Sequence, residues 1–252
     1  MQLIHGDCLE KMKDIPDESV DLILTDPPYS LGYKFEGDDL THSEQAAFME
    51  KYLAEFYRIL KHGGVASIFM EQRLSHHLYF IALHCGFTWQ NSIIWNRDGG
   101  QMPTSKFGMC HEPITVFTKG GYSKRFNLDP LRVKSKYANA DKRLNPLGKN
   151  PGDVWYVPAL FGKKAERIKG VDGKAVHPTQ KPVEVIFPFV EAYTNKGDTV
   201  CDPFMGTGTT GLCSAVMERD FIGIEKDDKY FEIAKKRIEE HLTIRITRKY
   251  PQ

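Results

Sequence analysis

The strongest constraint on this chain is a junction near its start. Val20-Asp-Leu-Ile-Leu-Thr25 is an apolar run of strand length, and it ends abruptly at Asp26-Pro27-Pro28-Tyr29. Such a run suits a strand covered on both faces of a sheet. Two consecutive prolines fix φ and delete two backbone donors, so the strand has to stop there. The turn then offers a set of acceptors beside an aromatic ring: the Pro27 carbonyl stays free, Asp26 supplies a carboxylate and Tyr29 a stacking face. Together they suit a planar group carrying an exocyclic amine. A plain strand-ending turn, which Asp and Pro commonly make, explains the same four residues equally well.

A second junction lies far downstream. Thr199-Val-Cys-Asp202 runs into Pro203-Phe204-Met-Gly206-Thr-Gly208-Thr209-Thr-Gly211, which reads as a short strand, a glycine-rich turn and a helix start. Gly206 and Gly208 let the backbone approach a ligand closely, and the helix presents unpaired N–H groups. Glu225 closes the next strand, about 20 residues on, where an acid can accept both hydroxyls of a ribose. Gly206, Gly208 and Gly211 also satisfy G-x-G-x-x-G, so a dinucleotide is a competing ligand. No Lys follows the glycines, which excludes a Walker-type phosphate loop.

Strands and helices alternate along the whole chain. Strands are predicted at 3–5, 20–25, 65–70, 198–202 and 220–225, with 87–95 and 113–118 as a terminal antiparallel pair. Helices are predicted at 8–15, 73–85, 182–194, 207–218 and 227–241, and a long one at 43–61 that Gly63-Gly64 stops. Phe48, Tyr52, Phe56 and Ile59 fall at helical spacing on the long helix and read as core. The alternation predicts an α/β sheet with right-handed crossovers and ligands at the carboxyl ends of its strands.

A chain of 252 residues that is 41% hydrophobic supports one sizeable core plus an insertion. Its five cysteines form no C-x-x-C pair and no metal-ligand spacing, so reduced thiols and no metal site are expected. No apolar run approaches the roughly 20 residues of a membrane span, and the expectation is a cytoplasmic protein without membrane contact. The net charge of +1 conceals a division. Residues 131–175 hold 11 Lys or Arg against four acids, a local balance of +7 on a remainder of −6. Such a basic segment is what phosphate-backbone binding requires, although scattered surface lysines give the same count.

The two junctions, with His177-Pro178-Thr179-Gln180-Lys181-Pro182 shortly before the glycine loop, resemble the β-class amino DNA methyltransferases, which make N6-methyladenine or N4-methylcytosine. The resemblance covers nearly the whole chain, and the motif order carries it: D-P-P-Y, a variable middle, H-P-T-Q-K-P, D-P-F-M-G-T-G-T-T, then F-I-G-I-E. It implies a Rossmann-like seven-stranded methyltransferase sheet, circularly permuted so that the first strand lies beside the last, with an inserted target-recognition region. Residues 1–98 and 177–252 then form two halves of one α/β domain, and 99–176 the variable basic insertion.

By the same resemblance the cofactor is S-adenosylmethionine rather than a dinucleotide. Asp202, Pro203, Phe204, Gly206, Gly208 and Thr209 are expected around its methionine end, Glu225 at the ribose, Asp7 and Cys8 near the adenine, and Thr179 and Lys181 at its carboxylate. Asp7 is equally suited to capping the helix from residue 8. Trp95-Asn96-Arg97 and His111-Glu112 match the family's less regular motif, with Trp95 equally plausible as core. Gln101, Lys106, Arg132, Lys134, Lys136, Arg143 and Lys149 are candidate DNA contacts. A second copy of the chain and a cognate restriction enzyme are the further partners this family brings into view.

An exocyclic base amine is a poor nucleophile because its lone pair is delocalised into the ring. Asp26 and the Pro27 carbonyl are acceptors suited to holding the amine, and Tyr29, after Pro28, to stacking on a base turned out of the duplex. The expectation is a site-specific DNA methyltransferase acting on adenine N6, since D-P-P-Y rather than S-P-P-Y marks the adenine enzymes. Cytosine N4 and a catalytically silent nucleic-acid-binding module are the alternatives. No Pro-Cys pair offers a nucleophile for cytosine-C5 chemistry.

Overall fold

A computed structural model describes residues 1–29, 40–97, 99, 103–135, 145–160, 166–170, 173–177 and 179–240. Among these residues eight strands form one sheet: β1 (Gln2–His5), β2 (Val20–Thr25), β3 (Leu60–Phe69), β4 (Phe87–Asn96), β5 (His111–Lys119), β6 (Val154–Tyr156), β7 (Thr199–Asp202) and β8 (Asp220–Glu225). Their order is β1-β8-β7-β2-β3-β5-β4-β6. β5 runs antiparallel to both its neighbours, and every other pairing is parallel. The first strand does pair with the last, from Gln2 opposite Ile222 to His5 opposite Glu225.

Period-2 alternation divides the core between two faces of the sheet. Leu22, Leu24, Val65 and Phe69 point to the face covered by α4 (Val183–Tyr193), α5 (Thr209–Val216) and α6 (Asp228–Glu239). Ile23, Ala66 and Ile68 point to the other, under α1 (Cys8–Lys11), α2 (His42–Ile59) and α3 (Ser75–His84). Tyr52, Phe56 and Ile59 are fully buried there, as their spacing predicts, whereas Phe48 stays half-buried. No helix among the described residues is long and apolar enough to cross a membrane.

Three boundaries differ from the sequence expectation, each for a local reason. The helix expected over 8–15 is one α turn followed by a 3-10 turn at Met12–Asp14. α2 starts on a capping box, in which Glu44 N–H donates to Thr41 Oγ1 (3.3 Å) and Thr41 N–H to Glu44 Oε2 (2.8 Å). It ends at Ile59, and Gly63-Gly64 do not stop it. They lie inside β3, where the β2–β3 register shifts and a Cβ on Gly64 would meet the Asp21 carbonyl at 3.0 Å.

The expected antiparallel pair is not terminal, because β6 adds an eighth strand outside β4, with Trp155 opposite Trp95. Residues 99–176 therefore contribute two strands to the main sheet, β5 and β6. Their remaining described residues lie mostly in loops, with isolated bridges such as Val133 to Lys149.

Gly211 satisfies the third position of G-x-G-x-x-G by packing alone. A Cβ there would lie 2.4 Å from Ile238 Cδ1 and 2.6 Å from the Phe221 ring. Gly211→Ala is therefore expected to lower stability by roughly 1–3 kcal/mol through overpacking of α5 against α6 and β8. Urea unfolding measures this, and an unchanged midpoint would show that the interface yields freely.

Candidate active site

The carboxyl ends of β1, β2, β3, β7 and β8 open on one cavity of about 760 Å3. This is where an open α/β sheet collects its ligands, and the volume suits more than a small fragment. The segments after β2, β3 and β7 follow strands buried in the sheet, so their side chains are aimed by rigid backbone.

The β2 end supplies Asp26, Pro27, Pro28 and Tyr29. Gln45 of α2 donates to the Pro28 carbonyl (2.7 Å) and fixes the turn, while the Asp26 side chain is held from two sides. Tyr29 Oη sits within hydrogen-bond reach of both Asp26 Oδ1 and Glu112 Oε1 (2.8 Å), with a single proton to donate between them. Lys181 Nζ donates to Asp26 Oδ2 at 2.6 Å and to Glu112 Oε1 at 3.0 Å. Arg97 lies further out, 3.7 Å from Glu112. Burial, reinforced by the Glu112 charge and opposed by Lys181, pushes the Asp26 carboxyl above the ordinary carboxylate range. Burial alone would pull the Lys181 ammonium down, but Asp26 and Glu112 together hold it above its usual value. Burial and the two carboxylates push the Tyr29 phenol up as well.

At the β7 end, Asp202 is buried and accepts from Thr25 Oγ1 (2.7 Å) and Phe204 N–H (3.2 Å), tying β2 to the glycine turn. Burial outweighs these bonds and raises its carboxyl to about 7. Gly206 and Gly208 adopt φ of +50° and +76°, conformations that favour glycine. Glu225 Oε2 accepts from Gly206 N–H (2.8 Å) and Oε1 from Asp227 N–H (2.9 Å), so this carboxylate braces the glycine turn from β8. Burial raises its pKa.

The remaining expectations divide. Asp7, Cys8, Thr179, Pro203, Phe204 and Thr209 all line the same cavity. Asp7 caps α1, accepting from Leu9 N–H at 2.9 Å. Lys181 lines this cavity too, with its ammonium between Asp26 (2.6 Å) and Glu112 (3.0 Å). Trp95 is core, buried with Nε1 donating to the Val157 carbonyl (2.7 Å). Phe48, expected as core only, also lines the cavity and meets the Tyr52 and Phe204 rings edge-on, at 5.3 and 6.0 Å between centroids.

Glu112, singled out only as half of a pair with His111, is a central member of the charge cluster; an acid leading into the apolar-rich run Pro113–Phe117 is its signal. His177 also lines the cavity beside the Tyr230 ring (4.6 Å), with burial and Lys181 pulling its pKa down to about 4. Among the described residues no group of His, Cys, Asp and Glu is arranged to hold a metal ion. Of the candidate DNA contacts, Lys106, Lys134 and Lys149 are exposed, and Arg132 is engaged locally with Asp129 (2.8 Å) and the Gly148 carbonyl (3.0 Å). Gln101, Lys136 and Arg143 lie outside the described residues.

Comparison with known proteins gives a consistent set of matches. A family described as DNA methylase, of the N6/N4 methyltransferase type, matches residues 20–236. The type II methyltransferase M.HpaI of Haemophilus parainfluenzae is 33% identical over 241 residues, spanning 94% of this chain and 74% of that protein. The DNA adenine methyltransferase YhdJ of Escherichia coli is 34% identical over 252 residues, spanning 94% and 82% respectively. Among solved structures, the M1.HpyAVI–SAM complex superposes with a TM-score of 0.67 at 27% identity, covering 94% of this chain and 98% of its own. The cytosine-N4-specific PvuII DNA methyltransferase reaches a TM-score of 0.75 at 18% identity, over 97% and 87%, a likeness of fold alone.

A buried and a half-buried carboxylate sharing one buried ammonium make a definite stability prediction. Lys181→Met leaves both acids without their close cation and is expected to cost roughly 3 kcal/mol or more at neutral pH. Adding Glu112→Gln should recover part of that loss, as should lowering the pH until the acids protonate. Denaturant titration of the two variants decides the point, and a Lys181→Met protein as stable as the parent would show that the cluster is well solvated.

Proposed function

The chain belongs to the N6/N4 DNA methylase family, a class of S-adenosylmethionine-dependent DNA methyltransferases, and from that premise we propose that it methylates adenine N6 at a specific DNA site. The observation that carries this reading is the opening of the Asp26–Tyr29 turn and the Asp202–Glu225 region onto one cavity. The adenine assignment is supported by the Asp-Pro-Pro-Tyr form of the turn and by the 34% identity to a relative named as an adenine enzyme.

The residues present fit the cofactor. Asp202 and Glu225 are carboxylates facing a cavity where Gly206 leaves room for close approach, while Gly208 packs against Ala234 of α6, and an acidic lining suits a ligand carrying cationic groups. Glu225 keeps further lone pairs for ribose hydroxyls, and Asp202, Pro203, Phe204, Gly206 and Thr209 surround the methionine end, with Asp7, Cys8 and Thr179 as further contacts; Gly208, expected among them, does not line the cavity and shapes the turn instead. When bound, S-adenosylmethionine supplies an electrophilic methyl on a sulfonium.

The protein's part is to prepare the amine. Asp26 and the Pro27 carbonyl accept its two N–H groups, favouring the pyramidal form in which the lone pair is localised, and Tyr29 stacks on the extruded base. Asp26 is also the nearest base for the proton that the methylated nitrogen sheds. We assign the basic 99–176 region to target recognition, with Lys106, Lys134 and Lys149 as phosphate contacts. A cognate restriction enzyme is supported by the type II naming of M.HpaI, and a homodimer by the family resemblance alone.

Modification-detecting sequencing of DNA from cells expressing the chain tests the whole reading. Methylated adenine in one sequence context is expected, and its absence overturns the reading. Asp26→Ala should abolish the signal while cofactor affinity, measured by calorimetry, stays within a few fold. Because Asp26 can take up the proton of the methylated amine, and supply a charged acceptor, only when ionised, and its pKa is raised, kcat/KM should fall with decreasing pH well before the ordinary value of 3.8 is reached. An acid limb at or below that value contradicts the assignment.

Glu225→Ala is expected to weaken cofactor binding by about 1.5 to 3 kcal/mol, the cost of removing a charged hydrogen-bond acceptor. Unchanged affinity in the same titration would confine Glu225 to bracing the turn.

A further inference from the structure

The position of Lys181 leaves its ammonium with a role to fill. We propose, resting on the methyltransferase reading above, that Asp26 and Lys181 together read the amine-and-ring-nitrogen edge of the extruded base. Asp26 accepts from the exocyclic amine while Lys181 Nζ donates to the adjacent ring nitrogen, N1 of adenine.

The geometry supplies the pair. Nζ lies 2.6 Å from Asp26 Oδ2, a separation comparable to that between the oxygen and nitrogen of carboxamides that pair bidentately with adenine. Both groups line the cavity, together with Tyr29 and Phe69. An ammonium has three N–H donors, and Asp26 and Glu112 take two of them. The nitrogen also lies 5.7 Å and 5.2 Å from the centroids of the Tyr29 and Phe69 rings, within cation–π range. A base entering to stack on Tyr29 therefore brings its ring edge close to the remaining donor. The two flanking acids keep Lys181 protonated, so it can only donate.

The pattern has a defined selectivity. Adenine presents N6–H2 beside the acceptor N1, and cytosine N4–H2 beside the acceptor N3. Guanine and thymine present a carbonyl oxygen beside a ring N–H, which is the inverse. An acceptor and an obligate donor held side by side admit the first two edges and oppose the last two, since a mismatched base would leave buried polar groups unpaired. This accounts for a clamp whose chemistry suits adenine N6 and cytosine N4 alike. It also makes Lys181 a specificity-determining residue rather than a cofactor contact.

The test uses duplexes carrying the site found by sequencing, with the target adenine replaced by 1-deazaadenine or 7-deazaadenine. With the unaltered protein, loss of N1 should cut kcat/KM by roughly 10- to 100-fold, the worth of a hydrogen bond to a charged donor, whereas loss of N7 should change it by no more than a few fold. Easier extrusion cannot mimic this result, because weakened pairing of 1-deazaadenine favours base flipping.

Lys181→Met with Glu112→Gln, which removes the ammonium together with one acid, should lower the rate on adenine yet abolish discrimination against 1-deazaadenine. Equilibrium binding of the same duplexes should show the same order. Equal rates on all three bases with the unaltered protein overturn the proposal, as does undiminished discrimination in the double variant. The substrate series decides the matter even if that variant fails to fold. Absence of methylation on adenine itself would instead overturn the methyltransferase reading.

Discussion

One buried ammonium holds three distant parts of the sequence in register. Lys181 comes after the variable region, Asp26 ends β2 and Glu112 begins β5, and the three meet at distances of 2.6 and 3.0 Å. Removing charges from water is costly, and a single cation between two acids repays that cost only if all three are correctly placed. The cluster thus couples the conformation of the Asp26 turn to the arrival of β5 beside β3. On the function proposed above, the carboxylate that accepts from the amine is thereby kept in one rotamer before any substrate enters, which is the preorganisation that electrostatic catalysis requires.

The same logic extends across the switch in strand order. β2 and β7 are neighbours in the sheet although Thr25 and Asp202 stand 177 positions apart in the chain, and a hydrogen bond of 2.7 Å between these two residues joins the carboxyl ends of the strands. Chain order places the Asp26–Tyr29 turn, which the proposed function assigns to the base, on one side of this seam and the glycine turn on the other. A methyl donor and an acceptor amine can therefore approach from two different elements without either element having to move, and the reaction becomes largely a matter of positioning.

Much of this was legible in the sequence, and the exceptions have physical causes. The β2 run, the alternation of elements and both strand-end motifs are local patterns, and local patterns survive into the fold. Gly63-Gly64 mislead because glycine serves equally as a helix stop and as a bulge inside a strand, and only the pairing of β2 with β3 chooses between them. β6 has three residues, too few for a period to show, and it exists because Trp155 packs 5.1 Å from the Phe189 ring while its backbone pairs with β4. Glu112 and Lys181 lie 69 positions apart, so no window of sequence could pair them. The charges that the Lys181 side chain meets come from segments distant in the chain, which its own motif does not reveal.

The competing dinucleotide reading fails for an electrostatic reason. A phosphate-binding glycine turn must leave its N–H groups free and its surroundings positive. Here the Gly206 N–H is already committed to Glu225 Oε2 at 2.8 Å, and Asp202 lies buried alongside with both β2 and the turn donating to it. A pyrophosphate entering this turn would displace one carboxylate and face another. Gly211, the third glycine of the pattern, is occupied in admitting Ile238 and Phe221. A nucleoside with hydroxyls to share and positive charge to offer meets no such conflict, and on the proposed function the acids that repel a phosphate are the groups that hold it.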